Sequence, residues 1–247
     1  MTTDGQVAMV TGAARGIGAA IARALSAGGA RVALCDIDFT ASAETAKELG
    51  PPAIAVRLDV SSSSEVASAI DTIRRQLGPV ELLVNNAGID RVGPFIESDE
   101  DDWDRVIAVN LRGPIICCKA VLPEMIAAGR GRIVNIASDA GKVGSTGEAV
   151  YSATKGGIIA FTKTLARETA RSGITVNCVC PGPTDTDLLG QVAAANPRLH
   201  ESLARAIPMR RLGQPADIAA MVAFLLGDGA SFITGQAISV SGGLTMS

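Results

Sequence analysis

The chain has 247 residues, a formal net charge of -3, and 47% apolar but only 3% aromatic residues, so a sizeable core must be built from Ala, Val, Ile and Leu. No basic stripe is visible, which argues against a nucleic-acid partner. Five cysteines without a CxxC pair and a single histidine leave too few ligands, badly spaced, for a metal site, and fit free thiols in a reducing compartment.

Met1 to Gln6 is polar and lacks the basic start of a signal peptide. The strand Val7–Val10 follows. Thr11-Gly-Ala-Ala-Arg-Gly-Ile-Gly18 then turns into a helix over Gly16–Ala27. Gly12, Gly16 and Gly18 permit a tight turn and close backbone approach to a pyrophosphate, and the helix start, with Ile17, offers free N–H groups and a positive dipole end. The second strand, Arg31–Cys35, ends at Asp36. A carboxylate there accepts hydrogen bonds from an adenosine ribose and repels a 2′-phosphate, which favours NAD over NADP. Arg15 argues the other way, since a cation in this turn pairs with a phosphate; a surface turn begun by Asp36 and Asp38 is the bland alternative.

A helix over Thr40–Leu49, a strand over Ile54–Val56 and a helix over Ser63–Leu77 come next, the last with a capping start at Asp59-Val60-Ser61 and Glu65. Leu82–Val84 is a strand running into Asn85-Asn-Ala-Gly88. The acidic run Asp99 to Asp102 suits the first turn of a helix, placed over Trp103–Ala128, within which Asn110 is out of place on propensity and invites a functional explanation. The strand Ile133–Ile136 delivers Ser138 to the crevice end of the sheet, where its hydroxyl can bond a substrate oxygen. A helix over Val150–Ser172 puts Tyr151 and Lys155 one turn apart on one face. A free phenol ionises near pH ~10, and a neighbouring ammonium lowers that value. Strands over Ile174–Val179 and Ala237–Val240 and a helix over Pro215–Leu226 complete the pattern. Cys178 and Cys180 share a strand face and read as core; His200 reads as surface. Thr184 to Pro208 is the least regular stretch and a candidate mobile segment near the site.

Repeated strand–helix–strand units of this kind predict an α/β fold: one Rossmann-type, doubly wound parallel sheet of about seven strands, helices on both faces, in a single domain over residues 1–247. The longest apolar stretches, such as Ile218 to Leu226, are about half a membrane span, so a soluble, cytoplasmic protein without a membrane partner is expected.

Thr11–Gly18, Asp59-Val60, Asn85–Gly88, Asn110, Ser138, Tyr151-Ser-Ala-Thr-Lys155 and Pro181-Gly182 with Thr186 together resemble the short-chain dehydrogenase/reductase family over essentially the whole chain. The resemblance implies an oxidoreductase that interconverts a secondary alcohol and a ketone by hydride transfer with a nicotinamide cofactor. It implies that Tyr151 transfers the proton, that Lys155 lowers its pKa and holds the nicotinamide ribose, that Ser138 orients the substrate oxygen, and that Asn110 holds a water linking Lys155 to solvent. Asp59 and Val60 would meet the adenine, Asn86, Ala87 and Gly88 the adenosine ribose and central cofactor, and Pro181, Gly182, Thr184 and Thr186 the nicotinamide. Thr184 departs from the family's usual Ile or Val, but that contact is a backbone one.

In the C-terminal half, Asn135-Ile-Ala-Ser-Asp-Ala140, Gly147-Glu-Ala-Val-Tyr151, Cys180-Pro-Gly-Pro-Thr-Asp-Thr186 and Ser239-Val-Ser-Gly-Gly-Leu-Thr-Met246 further resemble the 2-hydroxycyclohexanecarboxyl-CoA dehydrogenases, and the chain as a whole resembles the 3-oxoacyl-[acyl-carrier-protein] reductases. Both imply a β-hydroxy/β-oxo acyl thioester as the small-molecule substrate, the first with NAD and the alternative with NADPH. Asp139, Val143, Ser145 and Glu148 on one side, with Leu188, Leu189 and Met209 on the other, are candidate pocket walls. Arg91 is either a contact for a thioester carrier's phosphate or a solvated loop arginine. The family is mostly tetrameric, so a homotetramer is expected, with the apolar face of Trp103–Ala128 and the segment Phe224 to Val240 as interfaces. A non-catalytic dinucleotide sensor or scaffold on the same fold is the alternative of another class.

Overall fold

The computed structural model describes residues 3–187, 189–190 and 199–246; Leu188, a candidate pocket wall, and residues 191–198 lie outside them. Seven parallel strands form one sheet: β1 Val7–Thr11, β2 Arg31–Asp36, β3 Ile54–Arg57, β4 Leu82–Asn85, β5 Gly131–Ile136, β6 Ile174–Pro181 and β7 Ala237–Val240. Their order is β3-β2-β1-β4-β5-β6-β7, so the winding reverses between β1 and β4, where a crevice opens at the carboxyl ends of the strands.

β1 is buried along its whole length, yet its side chains still divide by parity. Val7 and Met9 join Leu83 and Ile133 in a core on one face, while Ala8 and Val10 join Leu82 and Val134 in a core on the other. Helices α1 (Gly16–Ala27), α2 (Phe39–Leu49) and α3 (Ser63–Gln76) follow β1, β2 and β3. Asp38 caps α2 by accepting from Ala41 N at 3.1 Å, and Ser62 caps α3 by accepting from Glu65 N at 3.3 Å. The expected start of α3 is thus shifted: Glu65 reaches back to accept from Asp59 N at 3.0 Å, while Ser62 serves as the cap.

The helix expected over Trp103–Ala128 is longer and is not uniform. It comprises α4 (Glu100–Ile107), a π-helical turn at Ala108–Arg112 and α5 (Gly113–Ala128). Asp99 caps it by accepting from Asp101 N at 2.7 Å. By length and composition the run Glu100–Ala128 is apolar enough to cross a membrane, a property the sequence pattern alone does not suggest. It packs Cys117, Cys118, Val121 and Met125 into the core beside α3. Gly113 passes so close to β3's exit that a Cβ there would meet Val60 Cγ2 at 2.8 Å.

After β5 come a single turn, α6 (Ala140–Val143), and the long α7 (Ala149–Thr169). A Cβ on Gly141 would lie 2.6 Å from the Lys155 carbonyl carbon, so α6 rests directly on the α7 backbone. Helix α8 (Leu199–Ala206) and α9 (Pro215–Leu226) come after β6; Asp217 accepts from Gln214 N at 2.7 Å to cap α9, which covers the same sheet face as α1. Gly141→Ala should push α6 off α7 and lower stability by about 2 kcal/mol, read as a lower urea midpoint; an unchanged midpoint would mean that the two helices have slack.

Candidate active site

At the switch point, Thr11 stitches β1 to β4. Its hydroxyl donates to Val84 O at 3.3 Å and accepts from Asn86 N and Ala87 N at 3.0 and 3.1 Å. Asn86 Nδ2 returns two bonds, to Thr11 O at 3.0 Å and Gly12 O at 2.9 Å. The glycine turn is compressed against this clamp. A Cβ on Gly18 would sit 2.0 Å from Gly12 O, and one on Gly12, whose φ is +63°, 2.7 Å from Ala87 Cα. Arg15, the residue before α1, makes no side-chain cap, and the first turn of α1 holds no acidic residue. The helix start is left for an anion.

The other expected cofactor residues stand around the same crevice. Asp36 closes β2, accepting from Ala14 N at 2.9 Å and Asp38 N at 3.0 Å. Arg15 forms a 2.7 Å ion pair with Asp38, so its cation is matched by a carboxylate of the protein itself. Asp59 accepts from Ser61 N at 2.9 Å, and Val60 is buried. Thr184 is buried and bridges to Gly213, and Thr186 lies 3.6 Å from where a Gly16 Cβ would be, so the segment after β6 folds back onto the glycine turn. These compressed glycines, the uncapped helix start and the ring of strand ends fit a dinucleotide.

Tyr151, Lys155, Ser138 and Asn110 converge at the C-terminal ends of β4 and β5. Lys155 is buried and donates to Ile136 O at 2.9 Å; its Nζ lies 5.4 Å from the Tyr151 ring centroid. Burial lowers its pKa from 10.5 to about 8. Burial, with Asp90 and Glu148 nearby, pushes the Tyr151 phenol well above its ordinary value, and the Ser138 side chain offsets this only in part. This differs from the expectation that Lys155 lowers it. Lys155 is not among the groups that shift the phenol, and desolvation is the largest cause.

Asn110 occupies the π turn. Its side chain clasps the backbone of Ile89, accepting from Ile89 N at 2.9 Å and donating to Ile89 O at 2.8 Å. Gly88 lies between the two groups, where a Cβ would be 3.4 Å from Asn110 Oδ1 and 3.5 Å from Lys155 Nζ. The side chain of Asn110 is therefore committed to the loop after β4. Below, a buried chain runs from Asn85 Nδ2 to Asn135 Oδ1 at 2.8 Å and from Asn135 Nδ2 to Thr162 Oγ1 at 2.8 Å, tying α7 to the sheet. Asn135 and Thr162 are not among the residues expected at the site; a buried asparagine near the end of an apolar strand is the signal that points to them.

The expected pocket walls are only partly assembled. Asp139 is a correction: it is buried and accepts from Ser239 Oγ at 2.6 Å, because its place after β5 turns it toward β7. Val143 and Met209 are each 65% exposed, Ser145 is exposed, and Leu189 and Glu148 are half-buried. The cleft that does reach Tyr151, about 370 Å³, lies between residues 90–106 and 147–151 and includes Asp90, Val92, Phe95 and Trp103, none of which is among the expected walls. Arg91 pairs with Asp102 at 2.9 Å. Cys178 and Cys180 pack with Ile158 and Ile159. The side chain of His200 lies outside the described residues.

A dinucleotide crevice joined to a Ser–Tyr–Lys site defines an NAD(P)-dependent oxidoreductase acting on CH–OH groups. The chain belongs to the short-chain dehydrogenase/reductase family: the family described as enoyl-(acyl carrier protein) reductase matches residues 12–245. Among its relatives are a 3-oxoacyl-[acyl-carrier-protein] reductase of Synechocystis, 43% identical over 98% of this chain and 97% of that one, and one of Pseudomonas aeruginosa, 42% identical over the whole of both. A crystal structure from Agrobacterium tumefaciens, provisionally described as a gluconate dehydrogenase, is similar at a TM-score of 0.94 and 36% identity, over 98% of this chain and 97% of that one.

The depressed Lys155 has a thermodynamic signature. Below about pH 8 both folded and unfolded chains hold its proton; between about 8 and 10.5 only the unfolded chain does, so stability rises with pH in that window. Relative to Lys155→Met, the wild-type chain should gain on the order of 2 kcal/mol between about pH 7.5 and pH 10. Urea midpoints of both proteins across that range check it; parallel curves would refute the buried charge.

Proposed function

We propose that this protein interconverts β-oxo and β-hydroxy acyl thioesters, as a reductase of 3-oxoacyl groups, with NAD(H). The observation that carries the reading is the meeting of Ser138, Tyr151 and Lys155 at the end of a dinucleotide crevice whose ribose end bears Asp36. The names of the curated relatives favour the 3-oxoacyl substrate over the alicyclic 2-hydroxycyclohexanecarboxyl-CoA expected from the C-terminal half. The complete set of four polar residues argues against a non-catalytic sensor.

In this reading the bound dinucleotide supplies the hydride. The Ser138 hydroxyl holds the substrate carbonyl oxygen beside the phenol, and Tyr151, kept protonated by burial, donates to that oxygen in reduction. Lys155, fixed by Ile136 O, places positive charge behind the phenol as it loses its proton. Asn110 positions the Ile89 backbone and with it the loop carrying Gly88. Asp36 and the Arg15–Asp38 pair present a carboxylate surface where NADP would need a cation, which supports NAD. A homotetramer belongs to the same proposal, with Ile115, Ile126 and Phe232 exposed on the expected interfaces.

Assays of acetoacetyl-CoA with each cofactor test the reading. Tyr151→Phe should lower kcat at least about a hundredfold while NADH still binds; near-normal turnover would overturn the phenol's role. Asp36→Ala should reduce the NAD-to-NADP ratio of kcat/KM about tenfold or more, and an unmoved ratio would overturn the reading of Asp36.

A further inference from the structure

The cleft beside Tyr151 has an unusual charge balance. Asp90, Glu97, Asp99 and Asp102 line it, and the one cation among the described lining residues, Arg91, is bound to Asp102 at 2.9 Å. Its apolar wall is formed by Val92, Val106, Val150, and Phe95 stacked on Trp103 at 5.4 Å between centroids. The loops on either side are zipped together, since Gly93 N donates to Gly147 O at 2.9 Å. Glu148 follows Gly147 in this junction, and the carboxyl of Asp90 is pushed up to about 6, first by burial and then by Glu148. Asp90 and Tyr151 both line the cleft, so Asp90 stands at its reacting end.

We propose that Asp90 and Glu148, with Glu97 farther out, are specificity-determining residues that make this cleft accept acyl groups with an uncharged or amine-bearing end and reject those ending in a carboxylate. The inference deepens the function proposed above and rests on it for the acyl group. An anionic end entering here meets the carboxylates of Asp90, Glu97 and Asp99 and no free cation among the described lining residues, in a partly desolvated space where like charges are poorly screened. An uncharged chain meets the aromatic stack and the valines. A hydroxyl or ammonium near the reacting carbon finds acceptors in the acid pair. By the same field, an anionic thioester carrier is directed away from this cleft.

The test uses matched pairs of β-oxo substrates of equal length, one ending in methyl and one in carboxylate, each offered as a coenzyme A thioester and as a plain ketone. The wild-type protein should favour the methyl-ended member in kcat/KM by at least about tenfold, which is about 1.4 kcal/mol. The gap should narrow to about threefold or less in Asp90→Asn/Glu148→Gln, and added salt should narrow it in the wild type. Glu97→Lys, at an exposed position, gives a second reading should the double variant fail to fold, and should move the preference toward the carboxylate-ended member. Equal use of both members by the wild type, or a ratio unmoved by both variants, overturns the inference. Turnover of plain ketones alone would overturn the thioester reading instead, and the ketone ratio would still decide the role of the acid pair.

Discussion

The structure hangs on the clamp between Thr11 and Asn86. A doubly wound sheet separates its two halves at β1 and β4, and only local bonds keep the strand ends beyond the ladder in register. Here one hydroxyl and one amide supply them, with Thr11 bonding Val84, Asn86 and Ala87, and Asn86 bonding Thr11 and Gly12. The glycine turn is thereby pinned to the loop after β4. That loop leads through Gly88 to Ile89, which Asn110 clasps from the other side. The crevice at the switch point and the cluster of Ser138, Tyr151 and Lys155 therefore share one short backbone path.

A second constraint is the burial of charge. Lys155 enters the site from the second turn of α7, and among the described residues its hydrogen-bond acceptor is the backbone of Ile136 at the end of β5. The Asn85–Asn135–Thr162 chain fixes the same helix lower down. Such networks specify one arrangement at the expense of stability.

Local patterns reach most of this architecture. Runs such as Val7–Val10 lie within the observed strands because fully buried parallel strands are apolar without interruption, and α9 is bounded by its proline start and by the glycine after its last residue. The tetrad is legible because Tyr151 and Lys155 share a helix face and Ser138 comes just after a strand. The features that escape a sequence reading depend on long-range placement. Asp139 is the direct neighbour of Ser138, yet the turn after β5 sends it to Ser239, 100 residues away. The loops carrying Asp90 and Glu148, far apart in sequence, are joined by the Gly93–Gly147 bond. The direction of the Tyr151 shift is hidden for the same reason: spacing gives proximity to an ammonium, whereas desolvation belongs to the whole surroundings.

The π turn at Ala108–Arg112 separates two jobs along one rod. A turn closed by i→i+5 bonds holds about one residue more than an α turn, which rotates the next helical segment by roughly 100° relative to an unbroken helix. Helix α4, which carries the cleft wall of Trp103 and Val106, and α5, which carries the core seam of Cys117, Val121 and Met125, therefore share an axis but not a phase. Side chains can be exchanged on the first to reshape what the cleft admits while the seam of the second keeps its facing. Deleting one residue from the turn would bring the two back into step and swing one of those surfaces out of place.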